Sequence, residues 1–560
     1  MWLDRLIGFT LICSCCTFIS PIEAREVRQA RTVYKVDLTA SREISIAMTV
    51  RWGGLSRLDF YPFEDFTCAV GAYEQPSMVS GGIGRPNANG SISVYPREGA
   101  QELQIRYSFS PISTSGDIPQ NGFEECLPAI HTSEYFLVDS KRLFPFVKHF
   151  DDTGKRQRLG AADIIWQLPL GWEVADAEKD GDITISHISD ATEVDDIYAG
   201  GAIRIRDKDR ADGEGLRFFG SSTLFPKGHD VPDSINRAYR YFSEEFWPLD
   251  GKRSSNIFLL RTGAMDGQSL FGVARPGLAV VFVSADLEIE REAWRVEEIA
   301  THEVLHWWLP FAFTEQPGAI PLWVREGIVE YLAHRFVSHN RSYSTERVAG
   351  RLNKAISMVA DDPTAVDPYE LGFLSALSFY ETEFASGSAI PEIRRIAKIL
   401  RAARDQADAG ELPDLAELFV SPATSRSFIF NGIPLPCTIR LGVGELVLKQ
   451  AKLPNYDAGM DIAYSDHADA PIRVETVHPS GPAERAGLIA GDIIRTHVSG
   501  GNGNIHEKLV LEIENAAGQT RMVAFWPHGN THVKTGLFYS DSNRPVSLPE
   551  ESSLCPVSAS

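Results

Sequence analysis

The spacing of apolar side chains changes twice along this chain, and that change limits the possible folds more than any other feature. From about residue 30 to 210, runs such as "ISIAMTVRW" and "ELQIRYSFS" alternate apolar and polar residues, with Gly, Pro and Asn between the runs. Period-2 alternation of this kind predicts an antiparallel β domain. The charged stretch "RDKDRADGEG", residues 206–215, then predicts a domain boundary.

Past this boundary the apolar residues follow helical spacing, interrupted by the strand-like runs "SNIFLLRT" and "GLAVVFVSA". Helices are predicted over 233–249, 292–309, 321–337 and 389–405. From about residue 440 the chain returns to strands and turns around one short helix, 482–488.

A chain of 560 residues is too long for a single core, so several domains are expected. We predict a multidomain α+β protein with an N-terminal antiparallel β domain (25–212), an α/β-to-α domain (213–435), a C-terminal domain (436–545) and a tail (546–560). The net charge of −21 argues against nucleic acid as a partner, because nucleic acid requires a basic face.

The N-terminus has the order of a secretory signal peptide. Arg5 precedes the apolar run "LIGFTLICSCCTFI", and the exit "SPIEA" ends in a small residue, so we place cleavage after Ala24 and assign residues 1–24 to the signal. An uncleaved anchor and a lipid-modified Cys15 or Cys16 are the alternatives. No later segment is apolar enough to span a membrane, so we expect an exported protein, periplasmic or secreted, with no stable membrane span after cleavage.

Export bears on the cysteines that remain in the mature chain. Of seven, the four outside the signal are Cys68, Cys126, Cys437 and Cys555, and none forms a CxxC pair. An even number in an oxidising compartment predicts disulfides. Pairing Cys68 with Cys126 and Cys437 with Cys555 is plausible, but the sequence leaves all three connectivities open.

The stretch "THEVLHWWLP" carries the chemistry of the helical part. His302 and His306 lie four residues apart, so a helix presents both imidazoles on one face, where they can bind one Zn²⁺. Glu303 follows the first ligand and can act as general base on the attacking water, then pass the proton to the leaving amine. Trp307 and Trp308 are predicted to be core or pocket wall.

A catalytic zinc ion requires a third protein ligand, and Glu326 on the next predicted helix is the candidate. We therefore expect one Zn²⁺ per chain. Glu330 lies one turn later and could accept the outer N–H of a ligand histidine, or it could face solvent on the helix surface. His334 and His339 are predicted to be surface residues.

The motifs "HEVLHWW" and "WVREGIVEY" together resemble the gluzincin metallopeptidases, in which HExxH is followed by a ligand Glu. Trp308, Trp323, Glu326, Gly327 and Tyr331 match the positions seen in aminopeptidase N and its relatives. Within that clan the chain is most similar to the glycyl aminopeptidase family. The resemblance implies an N-terminal β domain, a thermolysin-like zinc peptidase domain over 213–435 and a C-terminal PDZ domain.

The stretch "VHPSGPAERAGLIAGDII" is independently similar to bacterial PDZ domains. Such a domain would add a peptide strand to a sheet edge and bind a peptide C-terminus, or it could be a structural support only. The segment "AGMDIAY" lies where the binding loop should start, but it departs from the usual pattern.

Two further positions depart from the family pattern. Where aminopeptidases hold the substrate N-terminus with a G-A-M-E-N-like strand, this chain has Gly263, Ala264, Met265 and Asp266, which could bind the amine or form an ordinary turn. Where the family has a catalytic Tyr that stabilises the oxyanion, this chain has Phe384. Tyr380, one helical turn earlier, is the proposed substitute donor.

These features predict an exported zinc-dependent metallopeptidase that acts on peptide or protein substrates, and an aminopeptidase is the first hypothesis. A zinc endopeptidase to which the PDZ domain presents substrate ends is the second. The third is a peptide-binding scaffold of low activity that keeps the fold.

Overall fold

The computed structural model describes residues 32–540 except for short internal segments. These are 40–42, 53–54, 61–76, 88–91, 112–128, 140–146, 158–160, 176, 181–182, 189–196, 207–215, 226–230, 250–254, 263–269, 310–319, 342, 362–366, 381–389, 409–426, 431–432, 442–443, 464–471, 501–504 and 506–507. Several sequence-based predictions lie outside the described residues: 1–24, Cys68, Cys126, 263–266, Phe384, 546–560 and Cys555. Cys437 is described, and it is disulfide-bonded.

The N-terminal part of the chain is a set of strands. They are β1 Thr32–Asp37, β2 Ile44–Arg51, β3 Leu55–Phe60, β4 Ser77–Ser80, β5 Gly82–Pro86, β6 Ile92–Pro96, β7 Glu102–Phe109, β8 Ile130–His131, β9 Tyr135–Asp139, β10 Val147–Asp151, β11 Arg156–Gln157, β12 Ala162–Gln167, β13 Trp172–Val174, β14 Glu178–Asp180, β15 Ile183–Ile188 and β16 Ile197–Arg206. Seven form one sheet, in the order β14-β15-β12-β1-β2-β7-β4, and five form another, β11-β10-β3-β6-β5.

The alternating pattern of these strands buries one set of side chains, as the sequence predicts. Along β1 and β2, Tyr34, Val36, Ile44 and Ile46 are buried while their neighbours are partly or fully exposed. The prediction of a purely antiparallel domain is wrong at one place, because β1 and β12 pair in parallel. Parallel pairing needs a long crossover, and about 120 residues separate these two strands, so no local pattern indicates it.

The middle of the chain combines strands with most of the helices. Its elements are β17 Arg217–Gly220, a 3₁₀ turn Ser222–Leu224, α1 Val231–Glu245, β18 Asn256–Thr262, β19 Leu270–Arg275, β20 Leu278–Ser284, α2 Ile289–Leu305, a π-helix Trp323–Ile328 that continues into α3 Val329–Asn340, α4 Thr345–Asp361, α5 Pro368–Leu377 and α6 Pro391–Asp408. The four predicted helices correspond to α1, α2, the π-helix with α3, and α6.

One eight-stranded sheet joins the first two parts of the chain. Its order is β19-β20-β18-β17-β16-β9-β8, with β13 paired to β16. Strands β16 and β17 flank residues 207–215, where the sequence predicts a domain boundary. The two strands nevertheless pair with each other, antiparallel, within this one sheet. β17, β18 and β20 run parallel, and β19 adds to β20 as an antiparallel edge strand. Helix α2 packs against β19 and β20, so this sheet edge positions the helix.

Helix α2 is fixed by an apolar row at helical spacing. Val296, Ala300 and Val304 recur every four residues and are fully buried in the largest core cluster. The helix is kinked at Glu292, and it ends at Leu305 rather than at residue 309 as the sequence predicts. Residues 306–309 form a turn in which the backbone N–H groups of Trp308 and Leu309 bond the carbonyl of Leu305.

Two glycines bring α5 into very close contact with the π-helix. A Cβ on Gly372 would lie 1.8 Å from the carbonyl oxygen of Trp323, and a Cβ on Gly327 would lie 2.5 Å from the Gly372 Cα. No side chain fits between these backbones. Glycine at both positions therefore permits the crossing that places the π-helix against α5.

The last part of the chain returns to strands. Its elements are the strands β21 Ser427–Phe430, β22 Ile433–Pro436, β23 Thr438–Leu441, β24 Gly444–Tyr456, β25 Met460–Ala463, β26 Ile472–Val477, β27 Ile493–Ser499, β28 Leu509–Glu514, β29 Thr520–Phe525 and β30 His528–Ser540. One short helix, α7 Pro482–Arg485, lies between β26 and β27. β21 pairs with β22, β23-β24-β30 form a three-stranded sheet, and β25 to β29 form a five-stranded sheet in sequence order.

The long antiparallel pair β24–β30, which we call the C-terminal ribbon, packs on α4. The Asn353 side chain on α4 donates to the Phe538 carbonyl at 2.9 Å and accepts from the Phe538 N–H at 2.7 Å. Leu446, Leu448 and Phe538 of the ribbon belong to the same core cluster as the helices. No helix in the described part of the chain has both the length and the apolar character needed to span a bilayer.

Candidate metal centre

His302 and His306 lie one turn apart at the C-terminal end of α2. His302 is in the last turn of the helix, and His306 is the residue that follows its end, still with helical backbone angles. Their ring centroids are 4.8 Å apart, with the ring planes at 82°. Both residues are buried, at 4% and 7% exposure. The i, i+4 spacing thus places two imidazoles side by side, as the sequence predicts.

Glu326 reaches the same point from the π-helix. Its Oε2 lies 3.3 Å from Nε2 of His302 and 3.3 Å from Nε2 of His306. The three potential ligand atoms all lie within 4.8 Å of one another. Two ligands of a tetrahedral zinc ion, each ~2.0–2.1 Å from the metal, are about 3.3–3.4 Å apart, so both nitrogen–oxygen separations match such a site.

The outer nitrogen of each imidazole is held by an acceptor. His306 Nδ1 lies 3.0 Å from the Leu309 carbonyl oxygen, and His302 Nδ1 lies 3.1 Å from Oε2 of Glu330. A carbonyl oxygen and a carboxylate only accept, so we assign the proton of each neutral ring to Nδ1. The Nε2 lone pairs then point toward Glu326. Metal-binding histidines ordinarily have such outer partners.

Three acceptor atoms that converge without a donor repel one another. Burial lowers the pKa of His302, but the hydrogen bonds that a protonated ring would donate to Glu326 and Glu330 outweigh it and hold this pKa well above its usual value. Burial raises the pKa of Glu326, yet the hydrogen bonds and the charge that protonated imidazoles would offer hold that pKa far below the usual range. The cluster therefore attracts positive charge, and the chemistry of its donors fits a divalent cation such as Zn²⁺.

Glu303 is buried beside the histidine pair, at 5% exposure, and its carboxylate lies over Gly272 of the edge strand β19. A Cβ at position 272 would be 2.3 Å from Glu303 Oε1. Burial raises the pKa of Glu303, and the charges of His302 and His306 offset only part of that rise. The absence of a side chain at residue 272 is what leaves room for this carboxylate.

Glu330 contacts His302, which is the arrangement expected of a partner that orients a ligand. Its other oxygen, Oε1, lies 3.4 Å from Nη2 of Arg351 on α4. Burial raises the pKa of Glu330, but the His302 hydrogen bond and the Arg351 charge outweigh it, so the pKa lies below its usual range. The alternative of a fully solvated position does not hold, because the side chain is only 25% exposed.

Sequence reasoning missed two residues of this region, Gly272 and Arg351. A glycine inside a strand often marks close approach of another group, so Gly272 did carry a signal. No sequence signal marked Arg351, since a charged residue in an amphipathic helix usually faces solvent.

Other predicted residues near the motif have mixed outcomes. Trp307 and Trp308 are buried in the core, as predicted, and the Trp308 indole donates to the Trp247 carbonyl at 2.9 Å. His339 is exposed, as predicted. The prediction that His334 is a surface residue is wrong: it is 2% exposed, and its Nδ1 lies 2.9 Å from Glu298 on α2. The packing of α3 against α2 covers this side chain.

Tyr380 is half-buried three residues after α5 ends, and its N–H bonds the Leu377 carbonyl. Its phenol interacts electrostatically with Tyr331 and Arg335, which lie on α3. Its role as an oxyanion donor stays a prediction, as does the role of residues 263–266.

By overall fold, the chain is similar to a crystal structure of an aminopeptidase N family protein from Idiomarina loihiensis. That comparison gives a TM-score of 0.55 at 11% sequence identity and covers 90% of this chain and 98% of that chain. The chain therefore shares this mixed α/β multidomain fold, with its large β-rich part. No protein-family model matches the chain, and no curated protein gives a significant match.

Further solved structures resemble the chain less closely. An M1 zinc metallopeptidase from Deinococcus radiodurans has a TM-score of 0.38 at 14% identity, with coverage of 70% of this chain and 88% of that chain. A mutant M1 zinc metallopeptidase from the same organism, bound to a Tyr-Ser-Ala substrate, has a TM-score of 0.39 at 14% identity, with coverage of 70% and 89%.

Proposed function

We propose that this chain is an exported zinc-dependent metallopeptidase of the gluzincin type that acts as an aminopeptidase of glycyl aminopeptidase type. The observation that carries the proposal is the convergence of His302 Nε2, His306 Nε2 and Glu326 Oε2, with both imidazoles held from behind at Nδ1. The gluzincin motifs and the fold shared with an aminopeptidase N family protein support the same class of enzyme.

His302, His306 and Glu326 would hold one zinc ion per chain. Bound there, zinc would polarise the scissile carbonyl and lower the pKa of a water molecule toward ~7. Glu303 accepts a proton from the attacking water on its carboxylate and delivers it to the nitrogen of the departing amine. Because Glu303 is buried against β19, bulk water has little access to this carboxylate.

The proposal extends to parts of the chain that the metal centre does not include. Tyr380 would donate a hydrogen bond to the oxyanion, and residues 263–266 would bind the substrate's amino terminus. The five-stranded C-terminal sheet would be a PDZ domain that binds a peptide C-terminus. In support, β25 is the end strand of that sheet, which is the position that strand addition requires.

A metal assay and a substrate panel test the proposal together. Wild type should contain about one zinc per chain and should hydrolyse small aminoacyl amides. Glu303→Gln should retain the zinc and abolish turnover, because the amide cannot accept the proton. A wild-type protein without zinc affinity refutes the proposal.

The same panel separates the other hypotheses. Cleavage confined to N-terminally blocked peptides identifies an endopeptidase instead. Zinc binding without turnover of any peptide identifies a scaffold.

A further inference from the structure

A buried guanidinium lies behind the metal centre. Arg351 on α4 has a side chain only 14% exposed, and its Nη2 lies 3.4 Å from Oε1 of Glu330. Its Nη1 donates to Oε2 of Glu370, on α5, at 2.6 Å. The Arg351 Cζ lies 3.8 Å from the centroid of the Phe373 ring, also on α5. The side chain is thus held on two sides by α5 and on a third by Glu330.

We propose that Arg351 is a positioning residue of the metal centre: it holds Glu330 so that the free carboxylate oxygen orients His302. The inference rests on the proposed zinc site. Glu330 divides its two oxygens between these partners, with Oε2 on His302 Nδ1 and Oε1 on Arg351. Arg351 therefore positions Glu330, and Glu330 in turn orients His302, a proposed metal ligand.

The rotational freedom of a glutamate explains why such an anchor is needed. Fixing a glutamate side chain costs up to ~2 kcal/mol in rotamer entropy, and Glu330 is partly accessible to water. A single bond to His302 leaves the carboxylate free to rotate about that contact. A planar guanidinium that is itself fixed by Glu370 and Phe373 removes this freedom.

The charged groups around the metal centre support the same role for Arg351. Three carboxylates, Glu303, Glu326 and Glu330, surround two imidazoles that must be neutral to bind metal. Arg325 Nε donates to Oε1 of Glu326 at 3.0 Å, and the Arg351 guanidinium contacts both Glu330 and Glu370. The guanidinium thus stabilises Glu330 in its charged form, in which it is the stronger acceptor for His302.

The helix that carries Arg351 is anchored by a distant part of the chain. Asn353, two residues on, pairs with both backbone groups of Phe538 in the C-terminal ribbon. Leu352 and Ile356 of α4 are also buried in the common core cluster. The helix position of Arg351 is thus supported by a strand almost 190 residues later in the chain.

The test is the zinc dissociation constant, measured by chelator competition on the full-length chain. Arg351→Met should raise it by up to the ~10–100-fold expected for loss of an outer partner such as Glu330, through which Arg351 acts. Arg351→Lys can still pair with Glu370, but its single nitrogen cannot occupy the positions of both Nη1 and Nη2, so it should also weaken binding while the protein stays folded. Arg347→Met is the matched control, because Arg347 lies one turn earlier on α4 and its guanidinium packs on Trp294 and Tyr343.

A double-mutant cycle separates positioning from a general structural role. If Arg351 acts through Glu330, then Arg351→Met should have little further effect on zinc affinity in a Glu330→Gln background. Full additivity of the two losses overturns the proposal, and so does an unchanged affinity in both Arg351 variants. In these cases wild type still binds zinc, so the proposed function stands. Absence of zinc binding by wild type refutes both.

Discussion

Gly272→Ala tests whether the edge strand positions Glu303, the proposed general base. The added Cβ would lie 2.3 Å from Oε1 of Glu303 and 2.6 Å from both its Cδ and its Cγ. Favourable contacts between such atoms lie near ~3.5 Å, so the carboxylate must retreat by roughly 1 Å. The group that yields is the end of the Glu303 side chain, since the strand backbone is fixed in the ladder with β20.

A displacement of this size is large for proton transfer. Misplacement of a catalytic group by about 1 Å can reduce the rate by about 10²-fold, and we expect a loss of that order in kcat on an aminoacyl amide substrate. Zinc affinity should be unchanged, because the three atoms nearest to the new methyl group all belong to Glu303 and none belongs to a proposed metal ligand. Lost turnover with retained zinc would indicate that the Glu303 carboxylate has moved while the metal ligands have not.

Gly350→Ala is the matched control for this substitution. Gly350 lies in α4, and apart from the backbone of its own helix no atom lies within 4 Å of the Cβ that alanine would add there. Replacing a helical glycine by alanine should stabilise the protein by ~1 kcal/mol and leave kcat unchanged. If Gly272→Ala turns over substrate as fast as wild type, the contact between Glu303 and β19 does not position the base, and this reasoning fails.

Three further predictions concern the support of the metal centre. Gly372→Ala places a Cβ 1.8 Å from a backbone carbonyl of the π-helix, so we expect a loss of several kcal/mol in unfolding free energy, seen as a lower urea midpoint. Arg335→Met leaves the fully buried Glu392 without its ion pair, and should cost ~3–5 kcal/mol in the same urea assay. Removing zinc with a chelator should lower the apparent Tm, since ligand at 1,000 times its Kd contributes ~4 kcal/mol; an unchanged Tm contradicts tight binding.

Local spacing explains which parts of the site could be predicted from the sequence. His302 and His306 lie on one helix, so their proximity follows from the pitch of that helix alone. Glu326 required only that the next helix pack against the first. Gly272 and Arg351 depend on how a sheet edge and a fourth helix pack on this pair, and no periodicity encodes that arrangement. His334 was misassigned for the same reason, because its burial comes from the contact of α3 with α2.

The same contacts imply that the apoprotein keeps the site assembled. His306 is tied to a backbone carbonyl and His302 to Glu330, while the π-helix is fixed by the glycine crossing with α5. None of these contacts involves a metal, and the surrounding core cluster is apolar. Small zinc domains fold only with their ion because the ion replaces a core they lack. Here the core exists, so metal removal should leave the far-ultraviolet circular dichroism at 25 °C unchanged, and restoring zinc should recover activity without refolding.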